Sequence, residues 1–426
     1  MSLSDSLPEG LTCPINGAPL ELDRAVDEEN GLLGGGALPY PVLSGIPRLL
    51  ADEARNALVA LIAKGDSERA LRIALSWPDR KLGNRLRRKV SSLVLRSASG
   101  SHLGQRLASR LSTGAMLSEA TGSIEETLRT LDSGYFVDWL LHRFNARTFR
   151  PLLALARYVQ PGERILDLGG GFGHGAWVLT AHTPPDRVTV VDEVFSHLYI
   201  ARTRMVPGIH AVAANLSAGP PFRDALFDAI VISDTLHFVT DQDTCVKRAS
   251  DLLSTNGRFL VSQIHNGLVK AAFTGKARSP AGYADLFKHL HPRLLANHDV
   301  LERGRRGLEL GPELERSARD LNGVPELSLV ADKTGVGLGA VQSRSMPARN
   351  ARLSSLIEVE TDGALRHTQR VHEVVRPFME WPDLSGWTSD RVNAAQMRDT
   401  PDDRAGFDSG ILVDVPPRYF QPHHAR

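Results

Sequence analysis

One stretch constrains this chain more than any other: Glu163-Arg164-Ile165-Leu166-Asp167-Leu168-Gly169-Gly170-Gly171-Phe172-Gly173-His174-Gly175-Ala176-Trp177. An apolar strand ends in an acid, and a glycine-dense turn then feeds a helix. Glycine is needed where backbone bends with positive φ or approaches a ligand with no Cβ in the way. The helix that follows turns its free N–H groups toward the same place. This is a nucleotide-type loop, and such a loop sits on an open, mostly parallel sheet.

The surrounding pattern agrees. Strand candidates Arg164–Leu168, Val188–Asp192, His210–Ala214, Ala229–Ser233 and Arg258–Ile264 alternate with helical stretches near Gly175–His182, Ser196–Met205 and Asp241–Leu253. Alternation with short crossovers predicts a doubly wound α/β fold whose ligand crevice lies at the carboxyl ends of the strands. Residues 279–290 read as a capped helix, and Leu327–Val330 with Val336–Val341 as a closing hairpin.

The run Gly171-Phe172-Gly173-His174-Gly175-Ala176 also satisfies the loose G-x-G-x-x-A dinucleotide pattern. Asp167 argues otherwise. It stands two residues before Gly169, and a carboxylate there suits a ligand carrying an ammonium and a sulfonium, whereas it would repel a pyrophosphate. S-adenosylmethionine is therefore favoured over NAD. The next strand ends in Asp192-Glu193, about twenty residues after the loop. Ribose hydroxyls are donors and an ionised carboxylate accepts both, so Asp192 is the ribose ligand, with Glu193 as the alternative.

Further along come Ala214-Asn215-Leu216, then Pro221-Phe222-Arg223-Asp224-Ala225-Leu226-Phe227-Asp228 and a strand ending Ser233-Asp234-Thr235-Leu236-His237. Over residues 160–265 these separated elements resemble class I S-adenosylmethionine-dependent methyltransferases. The resemblance implies a seven-stranded, mostly parallel, Rossmann-like sheet and S-adenosyl-L-methionine as cofactor. It implies that Asp167, Gly169, Gly170, Gly171 and Gly173 form the methionine-side loop and Asp192 the ribose acid. Asn215, beside Leu216, stands where the family usually has Asp at the adenine amino group; its carbonyl still accepts that N–H. Ser233 would line the cofactor floor. Tyr135, Trp139 and Arg143, spaced i, i+4, i+8, form a candidate lid, with Arg143 meeting the cofactor carboxylate. His237 is the candidate general base, and His265 and Tyr283 are further candidates for acceptor contact.

Four regions follow: a turn-rich module at 1–50, a helical region at 51–130, the core with cap helices at 131–345, and a mixed C-terminal extension at 346–426 shaping the acceptor pocket. The first region ends Tyr40-Pro41-Val42-Leu43-Ser44-Gly45-Ile46-Pro47 and resembles the small zinc-ribbon-like Trm112 module. Asn16 replaces the second cysteine of its knuckle and the second pair is absent, so zinc is not carried over. With only Cys13 and Cys245 among 426 residues, a disulfide framework and a four-sulfur metal site are excluded, and a reducing, cytoplasmic setting is expected.

The N-terminus lacks a signal-peptide pattern, and no apolar run approaches a membrane span. With 50 Lys+Arg against 49 Asp+Glu, the net charge of +1 gives no general attraction to nucleic acid. Six basic residues between Arg80 and Lys89 read as a solvated helix face. The leading expectation is a methyltransferase for a small-molecule acceptor in specialised metabolism, and the rival is an RNA methyltransferase. The oligomeric state is left open, a homodimer included.

Overall fold

The computed structural model describes residues 2–76, 123–131, 135–224, 227–270, 275–336, 341–344, 349–396 and 401–420; within these, the side chains of 130–136, 394 and 401–404 are outside the description. The basic run Arg80–Lys89 also lies outside the described residues.

A small antiparallel sheet comes first: β1 (Glu21–Ala25), β2 (Gly31–Gly34), β3 (Tyr40–Leu43) and β4 (Ile46–Pro47), in that order. The central sheet comprises β5 (Ile165–Leu168), β6 (Val188–Asp192), β7 (His210–Ala213), β8 (Phe227–Ser233), β9 (Leu253–His265), β10 (Arg293–Ala296) and β11 (Glu326–Asp332). Its seven strands run β10-β11-β9-β8-β5-β6-β7. The strands β7 to β9 through β6, β5 and β8 are parallel, whereas β11 is antiparallel to both β9 and β10. This is the doubly wound architecture anticipated from the alternation. The chain winds outward from β5 to β7, then restarts at β8, so the topological switch falls between β5 and β8.

All four residues of β5 are buried and β6 is buried except at its acidic end. Such unbroken apolar runs are what a parallel sheet covered on both faces requires. Two large apolar clusters accordingly pack on opposite faces, one around Leu152, Ile165, Val190 and Val231, the other around Leu166, Leu168, Val191 and Ile230. Helix caps follow the local chemistry: Asp241 accepts from Thr244 N at 3.0 Å, and Ser279 from Gly282 N at 3.1 Å ahead of Pro280.

Two expectations change. Leu327–Val330 pairs with Arg293–Ala296 on one side and with β9 on the other, so both edges of β11 are occupied; of the expected hairpin partner Val336–Val341, residues 337–340 lie outside the described residues. The helical stretch from 124 to 159 is broken into Ile124–Leu131, Tyr135–Leu141, a 3-10 turn Arg143–Asn145, and Arg150–Ala156. Arg143 therefore sits beyond the end of the helix that carries Trp139.

The first fifty residues lie against the core. Leu49 N donates to Ala213 O at 2.7 Å, and Thr12 N to Pro221 O at 2.9 Å, so the module covers the outer edge of β7. Cys13 is buried with its Sγ 3.4 Å from the Tyr40 hydroxyl. In the C-terminal part, β12 (Ala351–Leu353) pairs with β15 (Leu412–Asp414), and β13 (Ile357–Val359) with β14 (Leu365–His367). No helix among the described residues is long and apolar enough to cross a membrane.

Candidate functional site

A cavity of about 1060 Å³ opens at the carboxyl ends of β5, β6, β8 and β9. That is at the top of the range for one ligand and leaves room for two. Its wall includes Arg143, Asp167, Gly169, Gly170, Gly171, Asp192, Glu193, Asn215, Leu216, Ser233 and His237. Gly173 stands just behind it. Its φ of 86° opens the helix His174–Leu179, and a Cβ there would come within 2.9 Å of Ala201 Cβ. At Gly170 a Cβ would collide with the carboxylate of Asp167. The loop is thus drawn so close over Asp167 that no side chain fits between them.

Asp167 is 2% exposed, and its Oδ2 has no hydrogen-bond partner. Burial, with the nearby Asp192 charge adding to it, pushes its carboxyl up to about 7. An uncompensated buried acid facing a cavity is a site prepared for a cationic group. Asp192, one strand over, is held by Gly171 N to Oδ2 at 3.0 Å and Val194 N to Oδ1 at 2.8 Å. Both donors leave lone pairs on the carboxylate for further hydroxyls. Asn215 caps the turn Leu216–Ala218 by accepting from Ser217 N at 2.8 Å, and its amide lies 3.4 Å from Glu193 Oε1. Beside these, Phe172 and His197 stack at 4.0 Å between ring centres, and burial lowers His197 to about 3.

The other half of the cavity is aromatic and histidine-rich. Arg143 donates to Asp234 Oδ2 and to Thr148 Oγ1, both at 2.8 Å, and its guanidinium lies 5.2 Å from the Trp139 ring centre. Trp139 meets Phe378 edge-on at 5.5 Å. Both rings line the cavity, so the C-terminal part supplies a wall. Tyr135 begins the same helix as Trp139, but its side chain is outside the described residues. His237 is 3% exposed; burial first, then His265 and Arg143, lower it to about 3. Its ring centre is 4.7 Å from that of His265, which burial also lowers.

His265 reaches the cavity after an irregularity in β9. The register against β11 shifts between Leu327 and Leu329, and Gln263 takes a φ of 54°. A bulge of this kind redirects the side chains that follow it. Tyr283 is fully buried, and its hydroxyl donates to His265 O at 3.0 Å, so it steadies that backbone from behind the cavity wall. Ser233 shares a 3.0 Å bond with the Ser262 hydroxyl.

Three contributors carry little signal in the sequence. Thr235 bonds to Gly169 O at 3.1 Å and pins the loop to β8. Asp234 pairs with Arg143. His174, first in the loop helix, bonds to Tyr419 Oη at 2.9 Å, while that hydroxyl donates to Leu140 O at 2.8 Å. Asp234 and Thr235 were marked only by following a strand; Tyr419 lies 245 positions from His174 and has no local signature.

Residues 166–261 match the family model described as a methyltransferase domain. Among curated proteins, the ubiquinone/menaquinone biosynthesis C-methyltransferase UbiE of Vibrio parahaemolyticus is 38% identical over 112 residues, covering 24% of this chain and 41% of that protein. The UbiE of Xanthomonas oryzae is 30% identical over 118 residues, covering 26% and 46%. The chain thus spans under half the length of these relatives. A solved TehB-like SAM-dependent methyltransferase of Corynebacterium glutamicum aligns with a TM-score of 0.31 at 17% identity, covering 42% of this chain and 88% of that one.

Proposed function

We propose that this chain is an S-adenosylmethionine-dependent methyltransferase acting on a small-molecule acceptor. One observation carries the reading: a buried carboxylate oxygen without a partner at Asp167, under a glycine loop whose next-strand neighbour is a second carboxylate, Asp192. The match over residues 166–261 and the order of the seven strands support the same enzyme class and cofactor.

The residues present fit that cofactor. Asp167 supplies negative charge beneath its amino-acid end, Gly169, Gly170, Gly171 and Gly173 allow close backbone approach, and Asp192 takes the ribose hydroxyls with Glu193 beside it. Asn215, Leu216 and Ser233 bound the adenine and floor. Arg143 closes the methionine side, the role also expected of Tyr135, whose side chain lies outside the described residues. When bound, S-adenosylmethionine supplies an electrophilic methyl group on a sulfonium. The chain's own contribution is alignment and exclusion of water, for which Trp139, Phe149, Leu301 and Phe378 provide apolar walls. His237 is the side chain we assign to the acceptor, facing the proton that a hydroxyl or acidic carbon must lose.

The cavity wall that Phe378 of the C-terminal part adds to the core residues suits a small acceptor of the specialised-metabolite kind. We read the chain as regions 1–50, 51–130, 131–345 and 346–426, the first a degenerate Trm112-like module acting as an edge cover. Two buried free cysteines suit a cytoplasmic setting.

Incubation with methyl-labelled S-adenosylmethionine, a small-molecule extract and, separately, total RNA tests the reading. Label is expected in a small molecule, with His237→Ala abolishing transfer while leaving S-adenosylhomocysteine binding intact. Label confined to RNA, or absent from both, would contradict it.

A further inference from the structure

Three potential metal ligands converge in the acceptor half of the cavity. Asp234 follows β8, His237 lies in the turn Leu236–Phe238, and His265 ends β9; one ligating atom of each lies within 4.8 Å of the others. All three line the cavity. Their backbones are held: Asp234 N donates to Ser262 O at 3.1 Å, His237 O accepts from Lys276 N at 2.7 Å, and His265 O accepts the Tyr283 hydroxyl. We propose that Asp234, His237 and His265 bind one divalent cation of the Zn²⁺ or Co²⁺ type, its open positions turned toward an oxygen donor on the methyl acceptor.

The donor set selects the ion. Two imidazoles and a carboxylate suit a borderline first-row cation better than Mg²⁺, which prefers oxygen ligands throughout. Three protein ligands leave at least one position open, as in catalytic rather than structural sites. Ligands about 2.1 Å from a common ion stand roughly 3.0–3.6 Å apart, so the trio closes by at most about 1–2 Å on binding. Glu326 on the cavity wall adds negative charge nearby.

Arg143 opposes the ion. Its guanidinium already neutralises Asp234 through Oδ2, and a cation brought to the same carboxylate is repelled by it. The site therefore has a signature that ordinary packing lacks: removing the arginine should strengthen metal binding. The acceptor this implies carries a hydroxyl or carbonyl oxygen near the methylated atom and a flat apolar body against Trp139 and Phe378. That part rests on the methyltransferase reading; the metal site does not. With an ion in place, His237 acts on the acceptor through the metal instead of taking its proton directly.

The test uses the full chain, stripped with chelator and titrated by calorimetry with Zn²⁺, Co²⁺ and Mg²⁺, with Co²⁺ visible absorption as a second readout. One equivalent of Zn²⁺ or Co²⁺ is expected, with Mg²⁺ at least 10-fold weaker. His265→Ala and Asp234→Asn should each weaken Co²⁺ at least 10-fold and change its spectrum, whereas Arg143→Ala should tighten it. Circular dichroism on each variant confirms folding. Absence of stoichiometric binding to the unaltered chain, or binding that these substitutions leave unchanged, overturns the proposal. S-adenosylhomocysteine titrated into the same preparations separates the two readings. Cofactor binding without metal binding sinks the metal site alone; metal binding without cofactor binding supports the site and sinks the methyltransferase reading.

Discussion

At the scale of single residues, the chemistry concentrates in two carboxylates with different surroundings. Asp192 is satisfied by backbone donors and stands ready for hydroxyls. Asp192→Ala is expected to cost about 1.5–3 kcal/mol of S-adenosylhomocysteine affinity, the scale of a charged hydrogen bond. Calorimetry showing unchanged affinity would remove the ribose assignment. Asp167 is the reverse case. Its pKa is raised from 3.8 to about 7 in the fold, so its protonated form favours the native state below about pH 4. That contribution is lost as pH climbs toward 7, and above it the ionised group is a cost.

A cationic ligand reverses the preference and favours the ionised form. Binding should therefore release a proton near neutral pH, seen as a dependence of the calorimetric heat on buffer ionisation enthalpy. Asp167→Asn should raise the melting temperature of the ligand-free protein above pH 7 while weakening the cofactor. A buffer-independent heat would contradict this. Both acids were legible from their position at strand ends. The missing partner of Asp167 was not, because solvation belongs to the folded environment and not to the residue.

At the scale of elements, four of the five parallel strands lay within two residues of their sequence estimates, since buried strands carry unbroken apolar runs with acidic or glycine ends, whereas β9 begins five residues before its estimate, at Leu253. β10 was missed: Arg293-Leu294-Leu295-Ala296 is four residues long, flanked by helices, and has no period of its own. The lid region was read as one helix because its apolar spacing continues past Leu141, where the helix ends and a 3-10 turn follows. Near that end the Tyr419 hydroxyl joins Leu140 of the lid helix to His174 of the loop helix. Tyr419→Phe should lower stability by about 1–3 kcal/mol in urea unfolding, the cost of leaving buried partners unsatisfied. An unaltered midpoint would mean that these groups find other partners.

At the scale of the whole molecule, the sheet order followed from the alternation of elements, whereas the contributions of the two ends did not. Nothing local in residues 1–50 announces that Leu49 will pair with the edge of β7, nor in the C-terminal part that Phe378 will face Trp139. Such contacts are set by packing between elements remote in sequence. Deleting residues 1–50 uncovers that strand edge, and exposed edges promote association. A lower melting temperature and concentration-dependent scattering are expected, and a monodisperse truncated chain of unchanged stability would show the cover to be dispensable.

The central claim is that the bend after Leu168 accommodates an adenosyl sulfonium and not a diphosphate. Titrating the full chain with S-adenosylhomocysteine and with NAD, while following the melting temperature, tests it directly, because a ligand bound only by the native state raises that temperature. S-adenosylhomocysteine should stabilise the chain and NAD should not; stabilisation by NAD alone, or by neither, would contradict the account.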